Sequence, residues 1–302
     1  CMQRRCMQWA EVGGRKRLLV GGKINRFIPN PTFDPVAQPG CLDEYFRGRN
    51  PENKNMAELF GRLEPISPAY RNRDARLDQM DEQGIEGAFL FPTLGVGMQE
   101  SLRGDPEAAC AAFRGFNRWI EEDWGFAYEG RLFGAPYISL IDPDWAEQEA
   151  ASLIERGARI LCMVPGPVPT PDGGRSPADP IYDRFWARVA EAGLPVAFHS
   201  GDAGYRVFTE AWGGNREFRA FDYNPLLTCL SPEPIHDTFA ALICHGLFDR
   251  FPRVRVASIE CGSAWVEGLV RKLKKAYGQM PGAFATDPVE RFRSNCFVAP
   301  YY

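Results

Sequence analysis

The sequence predicts an α/β fold centred on a parallel β-sheet. Short runs that are apolar at nearly every residue recur along the chain, as in residues 85–91 and 194–198. Between them lie segments with apolar residues three and four apart, opened by a capping residue and mostly closed by glycine. A strand apolar at every position is covered on both faces, which is the environment of a parallel sheet flanked by helices.

The elements follow in chain order. Residues 1 to about 70 are dense in breakers, including Gly13, Gly14, Gly21, Gly22, Pro35, Pro39, Gly40 and Pro51. They read as irregular structure with one short strand at 17–20. Apolar side chains such as Phe27, Ile28, Phe33, Tyr45 and Phe46 make this stretch pack on a larger body. From residue 74 the pattern is regular. A helix over 74–83 ends at Gly84, where a left-handed residue is wanted, and a strand covers 85–91. Asp105-Pro106 opens a helix whose inner face is Ala109, Ala112, Phe113, Phe116, Trp119 and Ile120. A strand over 132–140 follows. Asp142-Pro143 opens the next helix, and 159–164 the next strand. Asp179-Pro180 opens a helix closed by Gly193, and the strand 194–198 leads to His199. A helix over 234–248, a strand over 254–259 ending at Glu260, a helix over 263–277 and a strand from 295 complete the series. Six such strands fit either a (β/α)8 barrel or an open doubly wound sheet. No G-x-G-x-x-G follows a strand; Gly95-Val96-Gly97 is a partial match in a loop.

Composition excludes several functions. Apolar residues are 45% and charged residues 25% of the 302, which is globular composition. The net charge is -4, with no basic footprint for nucleic acid or for a membrane surface. No apolar segment approaches the roughly 20 residues of a bilayer span. Nine cysteines without a C-x-x-C read as reduced thiols of a cytoplasmic protein. The chain begins at Cys1 and ends inside an apparent strand, so a fragment of a longer protein is expected.

Ligands of parallel α/β folds bind at the C-terminal ends of the strands. His199 stands at such an end, where a neutral imidazole can ligate a metal or move a proton. Glu260 occupies the same place on its strand, as a ligand or general base. Asp202 is placed to orient His199 or to make a turn with Gly201 and Gly204. Arg175, Tyr205 and Arg206 are candidates to hold a substrate carboxylate. Asp142 reads as a helix cap. His236 and His245 are nine residues apart on one predicted helix, point to opposite sides and cannot share a metal. No G-x-S-x-G elbow is present, and Cys162, Cys244 and Cys261 sit in apolar surroundings that leave thiols inert.

The ordered set Leu-Pro-Val-Ala-Phe-His-Ser over 194–200, Gly-Leu-Phe-Asp-Arg-Phe-Pro-Arg-Val-Arg-Val over 246–256 and Glu-Cys-Gly-Ser-Ala-Trp-Val over 260–266 resembles amidohydrolase family 2. Met80-Asp-Glu-Gln-Gly-Ile, Phe91-Pro-Thr and Phe133-Gly-Ala-Pro-Tyr-Ile-Ser-Leu-Ile-Asp-Pro fit as well. The branch it resembles is that of 2-amino-3-carboxymuconate-6-semialdehyde decarboxylase, and the likeness runs from about Gly21 to Tyr302. The resemblance implies a metal-dependent (β/α)8 TIM barrel, often with zinc. Its ligands are an H-x-H pair on the first strand, a histidine ending the fifth and an aspartate ending the eighth, with a catalytic histidine commonly ending the sixth. His199 matches the fifth-strand ligand; Glu260 stands where the sixth-strand histidine is expected; no H-x-H occurs. The expectation is therefore an incomplete barrel holding strands two to seven, with 1–73 packed on a partial barrel of 74–302.

The expected function is a metal-dependent hydrolase or nonoxidative decarboxylase acting on a small carboxylated substrate. A divalent metal, zinc, would sit on His199, with Glu260 and Asp202 catalytic. Alone, the piece would bind metal weakly, turn over little and pair its two open strand edges into a homodimer. The rival expectation is a catalytically silent barrel with a binding or scaffold role.

Overall fold

The computed structural model describes residues 2–25, 34–214, 225–230 and 233–300; Phe27, Ile28, Phe33, Tyr301 and Tyr302 lie outside them. Helix caps written in the sequence set the repeating unit. The helix α1 (Arg73–Gln83) is capped by the Asn72 side chain and ends on Gly84 in the left-handed region. The strand β1 (Ala88–Leu90) follows. Asp105 caps α2 (Pro106–Asp123), which leads to β2 (Leu132–Gly134). Asp142 caps α3 (Pro143–Glu155) through the Trp145 N–H, as its sequence setting suggests, and β3 (Leu161–Met163) comes next. Then follow α4 (Asp183–Ala192), β4 (Pro195–His199), α5 (Pro234–Cys244), β5 (Arg255–Ile259), α6 (Trp265–Gln279), α7 (Pro288–Asn295) and β6 (Cys296–Val298).

Each strand lies beside its predecessor in the chain, and every pairing is parallel. Phe89 of β1 stands opposite Phe133 of β2. The chain beyond β2 bridges Tyr137 to Cys162 of β3. Cys162 faces Ala197 of β4, His199 faces Ile259 of β5, and Ala257 faces Phe297 of β6. A doubly wound sheet reverses its strand order at a switch point; an unbroken sequential order is that of a barrel wall. Phe198 packs against Phe239 of α5 at 6.1 Å, so Phe198 and its same-side neighbours meet the helices. One residue on, His199 points to the opposite, inner face. The inner set therefore includes Ala197, Ala257, Ile259 and Phe297.

Two elements are shorter than the sequence suggests, one a strand and one a helix. In 132–140 the ladder stops at Gly134 because the buried Asn117 of α2 intercepts the backbone: its Oδ1 accepts from Tyr137 N (2.7 Å) and its Nδ2 donates to Tyr137 O (3.0 Å). The helix predicted over 234–248 is split, since Gly246 adopts φ 68° between α5 and the short helix Leu247–Arg250.

The N-terminal stretch is more ordered than the expected irregular structure. Met7–Val12, Arg15–Val20 and Lys23–Ile24 form an antiparallel sheet. Gly13 and Gly14, both at positive φ (61° and 70°), make its tight turn, a hairpin signal hidden among the other glycines. Leu18 and Val20 are buried in the main core, and Cys6 Sγ reaches Ala108 O of α2 at 3.2 Å. Arg5 pairs with Asp105 and Glu107 at the start of the same helix. No described helix is long and apolar enough to cross a membrane, and no disulfide joins the described cysteines.

Candidate active site at the strand ends

β4 ends in His199, whose side chain is buried against the Phe91 ring, with centroids 5.3 Å apart. Its Nδ1 lies 2.7 Å from Ser200 O. A carbonyl only accepts, so Nδ1 carries a proton, and in the neutral ring Nε2 keeps its lone pair. That lone pair faces Glu260 Oε2 at 3.5 Å. Fixing one ring nitrogen by a backbone carbonyl so that the other can ligate is the arrangement of metal-binding histidines.

Glu260 directly follows β5 and holds φ at 53°, the left-handed region. For a residue with a Cβ this costs roughly 1–2 kcal/mol. The strained turn brings an otherwise exposed carboxylate over the buried imidazole. Cys261 beside it bonds back to Ile259 O, and burial pushes its thiol up to about 11, leaving it protonated and unreactive at neutral pH.

Asp202 makes the turn and does not orient His199, because Ser200 O already takes the Nδ1 proton. Its Oδ1 accepts from Gly204 N at 3.1 Å, and its own N–H bonds Val96 O at 3.0 Å. Burial raises its carboxyl above the ordinary range. The loop packs so closely on Val96 that a Cβ at Gly201 would stand 2.4 Å from Val96 O.

Tyr205 stays with this loop and donates to Asp237 Oδ2 of α5 at 3.1 Å. Arg206 begins the short helix Arg206–Glu210, and its charge lowers the Asp202 carboxyl against the burial effect. Arg175 is elsewhere. It lies on a hairpin after β3, paired with Asp179 at 3.0 Å, beside a cavity of about 590 Å³ lined by Asp172, Ser176 and His245 among others. Neither His199 nor Glu260 lines that cavity. His245 therefore sits apart from His236, whose ring bonds Asp237 and Lys272. Asp237 and Lys272 carried no site signal in the sequence, and Phe91 entered only within the Phe91-Pro-Thr motif; their contacts arise through packing of separate elements.

Among the described residues no group of three or more His, Cys, Asp or Glu gathers as a metal site. His199 and Glu260 supply two donors 3.5 Å apart. Donors each about 2.1 Å from one ion stand roughly 3.0–3.4 Å apart, so the pair suits two positions of a cation site; a catalytic ion takes about three protein ligands.

A sequentially wound parallel α/β wall with polar side chains at its C-terminal rim defines a barrel-type enzyme scaffold. The chain belongs to the amidohydrolase family: the Amidohydro_2 description, "Amidohydrolase", matches residues 62–300. Its fold is the TIM barrel. The chain is similar to an amidohydrolase from Mycobacterium avium subsp. paratuberculosis K-10, with 45% identity and TM-score 0.92 over 99% of this chain and 77% of that one. More distant is 5-carboxyvanillate decarboxylase from Sphingomonas paucimobilis, with 21% identity and TM-score 0.54 over 87% and 77% of the two chains. A dihydroxybenzoic acid decarboxylase from Polaromonas, at 20% identity and TM-score 0.55 over 88% and 76%, was solved with bound manganese and the inhibitor 2-nitroresorcinol. These two share the fold. The search of curated proteins returns no match. The expectation of zinc finds no support, since the metal in that relative is manganese.

Proposed function

We propose that this protein acts on a small carboxylated substrate, hydrolysing it or releasing its carboxyl group as carbon dioxide, with a divalent cation at His199 and Glu260. The observation that carries this reading is the His199 geometry: Nδ1 is committed to Ser200 O, and Nε2 opens toward the Glu260 carboxylate. The six parallel strands then take positions two to seven of the barrel, with His199 ending the fifth and Glu260 the sixth. The cation, when bound, supplies a Lewis acid that activates water or polarises a substrate oxygen. Ser200 O holds the imidazole in the ligating tautomer, and Phe91 keeps bulk water off its face. Glu260 holds a negative charge where the cation and a transferable proton are needed. Arg206 and Tyr205 border the same loop and contact the substrate; Arg175, paired with Asp179, stays outside. Asp202 shapes the loop through its bond to Gly204 N.

Cation binding is the test. Manganese should raise the melting temperature of the protein, as any ligand of the native state does. His199→Ala and Glu260→Gln should each remove most of that rise and the turnover of 2,6-dihydroxybenzoate or 5-carboxyvanillate. Unchanged cation binding and turnover in His199→Ala would sink the reading. The second reading, a binding barrel without catalysis, draws on the gathering of only two donors among the described residues. It predicts no turnover when manganese is bound at saturation.

A further inference from the structure

Four side chains from three parts of the chain form a run of hydrogen bonds behind the loop that follows β4. Lys272 of α6 lies with its Nζ 3.3 Å from His236 Nε2. His236 Nδ1 lies 2.8 Å from Asp237 Oδ1. Tyr205 Oη donates to Asp237 Oδ2 at 3.1 Å. The direction of each bond follows from the chemistry of the groups. An ammonium has donors only, so His236 Nε2 accepts and the ring proton resides on Nδ1. That proton goes to Asp237, whose carboxylate accepts again from Tyr205. The phenolic hydrogen of Tyr205 is thus already used, and only the lone pairs of its oxygen remain for a further partner.

Tyr205 lies at the site's end of the sheet. Its Cε2 comes within 3.6 Å of where a Cβ on Gly166 would stand, just beyond β3. Gly166 in turn donates from its N–H to Thr238 Oγ1 of α5 at 2.6 Å, which locks this corner to the helix that carries Asp237. The half-buried ring therefore stands by the C-terminal ends of β3 and β4, the latter ending in His199. Burial and Asp237 both push the phenol's ionisation upward, so it remains a neutral group.

We propose that Tyr205 is a specificity residue presenting only a hydrogen-bond acceptor to the substrate, held in that state by Asp237, His236 and Lys272 as positioning residues. The substrate then carries a hydroxyl or amino donor in addition to its carboxylate, and Tyr205 reads that donor. A bare carboxylate gains nothing from a phenol oxygen whose hydrogen is spent elsewhere. This deepens the carboxylate reading above and rests on it.

Two measurements test the inference, the first on the protein without added metal and the second on the manganese-loaded protein. The first is ring-nitrogen NMR of the three histidines, with His236 assigned by its loss in His236→Gln. His236 should be protonated at Nδ1 and bare at Nε2, and Lys272→Met should leave the Nδ1 proton donated to Asp237 while opening Nε2 to a second proton. A wild-type His236 carrying its proton on Nε2 overturns the proposal. The second is the dissociation constant of benzoate against 2-, 3- and 4-hydroxybenzoate. At least one hydroxylated probe should bind about 3- to 10-fold tighter than benzoate, the scale of one net hydrogen bond. Tyr205→Phe should bring that ratio close to one, and Asp237→Ala should reduce it by freeing the phenolic hydrogen. If benzoate binds and the ratio survives in Tyr205→Phe, the acceptor role is wrong and the carboxylate reading stands. If no probe binds the wild-type protein, the carboxylate reading falls and takes this one with it.

Discussion

The inner and outer strands of the same sheet differ sharply. In β4, Val196, Ala197 and Phe198 are fully buried between two neighbouring strands and a layer of helices. In β1 and β6, Phe89 and Phe297 are 50% and 54% exposed, although both point inward: Phe89 stands opposite Phe133, whose neighbour Gly134 faces Ile120 of α2, and Phe297 stands opposite Ala257. Among the described residues each outer strand is paired on one side only. The helix-facing side of this wall is completed locally, because each βα unit brings its own cover. The inward face is completed only by strands across the ring. Burial in a barrel is thus a local property outside and a collective one inside.

The largest expected contrast is in stability. Phe198→Ala should cost about 3–5 kcal/mol, the price of emptying a packed aromatic site, whereas Phe297→Ala should cost under about 1 kcal/mol. Urea unfolding of the two variants measures both, and equal losses would erase the distinction. Next comes association. Paired edges would make the outer strands sticky, so Phe89→Lys with Phe297→Lys should weaken any self-association by about tenfold, or about 1.4 kcal/mol. Sedimentation velocity of the parent and the double variant decides this; a monomeric parent removes the homodimer from consideration.

Glu260 sharpens the comparison from the inner side. Glu260→Gly relieves the left-handed strain but adds chain entropy to the unfolded state. The net gain should be about 0.5–1 kcal/mol, with loss of the manganese-induced rise in melting temperature. A variant that is less stable than the parent would show that the turn is not strained. The smallest effect concerns Asp202. Its folded carboxyl lies above the unfolded value through burial. The folded state therefore holds the proton more tightly, and the associated stability is complete below the unfolded value and lost as pH rises through the folded one. Asp202→Asn should raise the melting temperature at pH 7 and leave it unchanged near pH 3. An equal effect at both values would assign the change to something other than ionisation.

Much of this was legible in one dimension. Asp105, Asp142, Gly84 and Gly193 act as helix boundaries where their residue types require it, since capping and left-handed termini depend on neighbours one to four residues away. His199 and Glu260 were placed at strand ends by the apolar runs before them. The hairpin at Gly13-Gly14 was obscured because its strands mix polar and apolar residues on a small, half-exposed sheet. Asn117 shortening β2 could not be foreseen, as its bond to Tyr137 spans twenty positions.

The sequence by itself determined the βα rhythm, the family and the two strand ends that meet in the site, because periodicity and caps are written locally. Only the tertiary structure decided what those side chains do. Ser200 rather than Asp202 directs His199, Arg175 turns to Asp179, and Tyr205 gives its hydrogen to Asp237 on a helix beginning almost thirty residues later. A hydrogen bond is set by the distance and direction between two atoms, and for residues on separate elements those come from packing rather than from position along the chain.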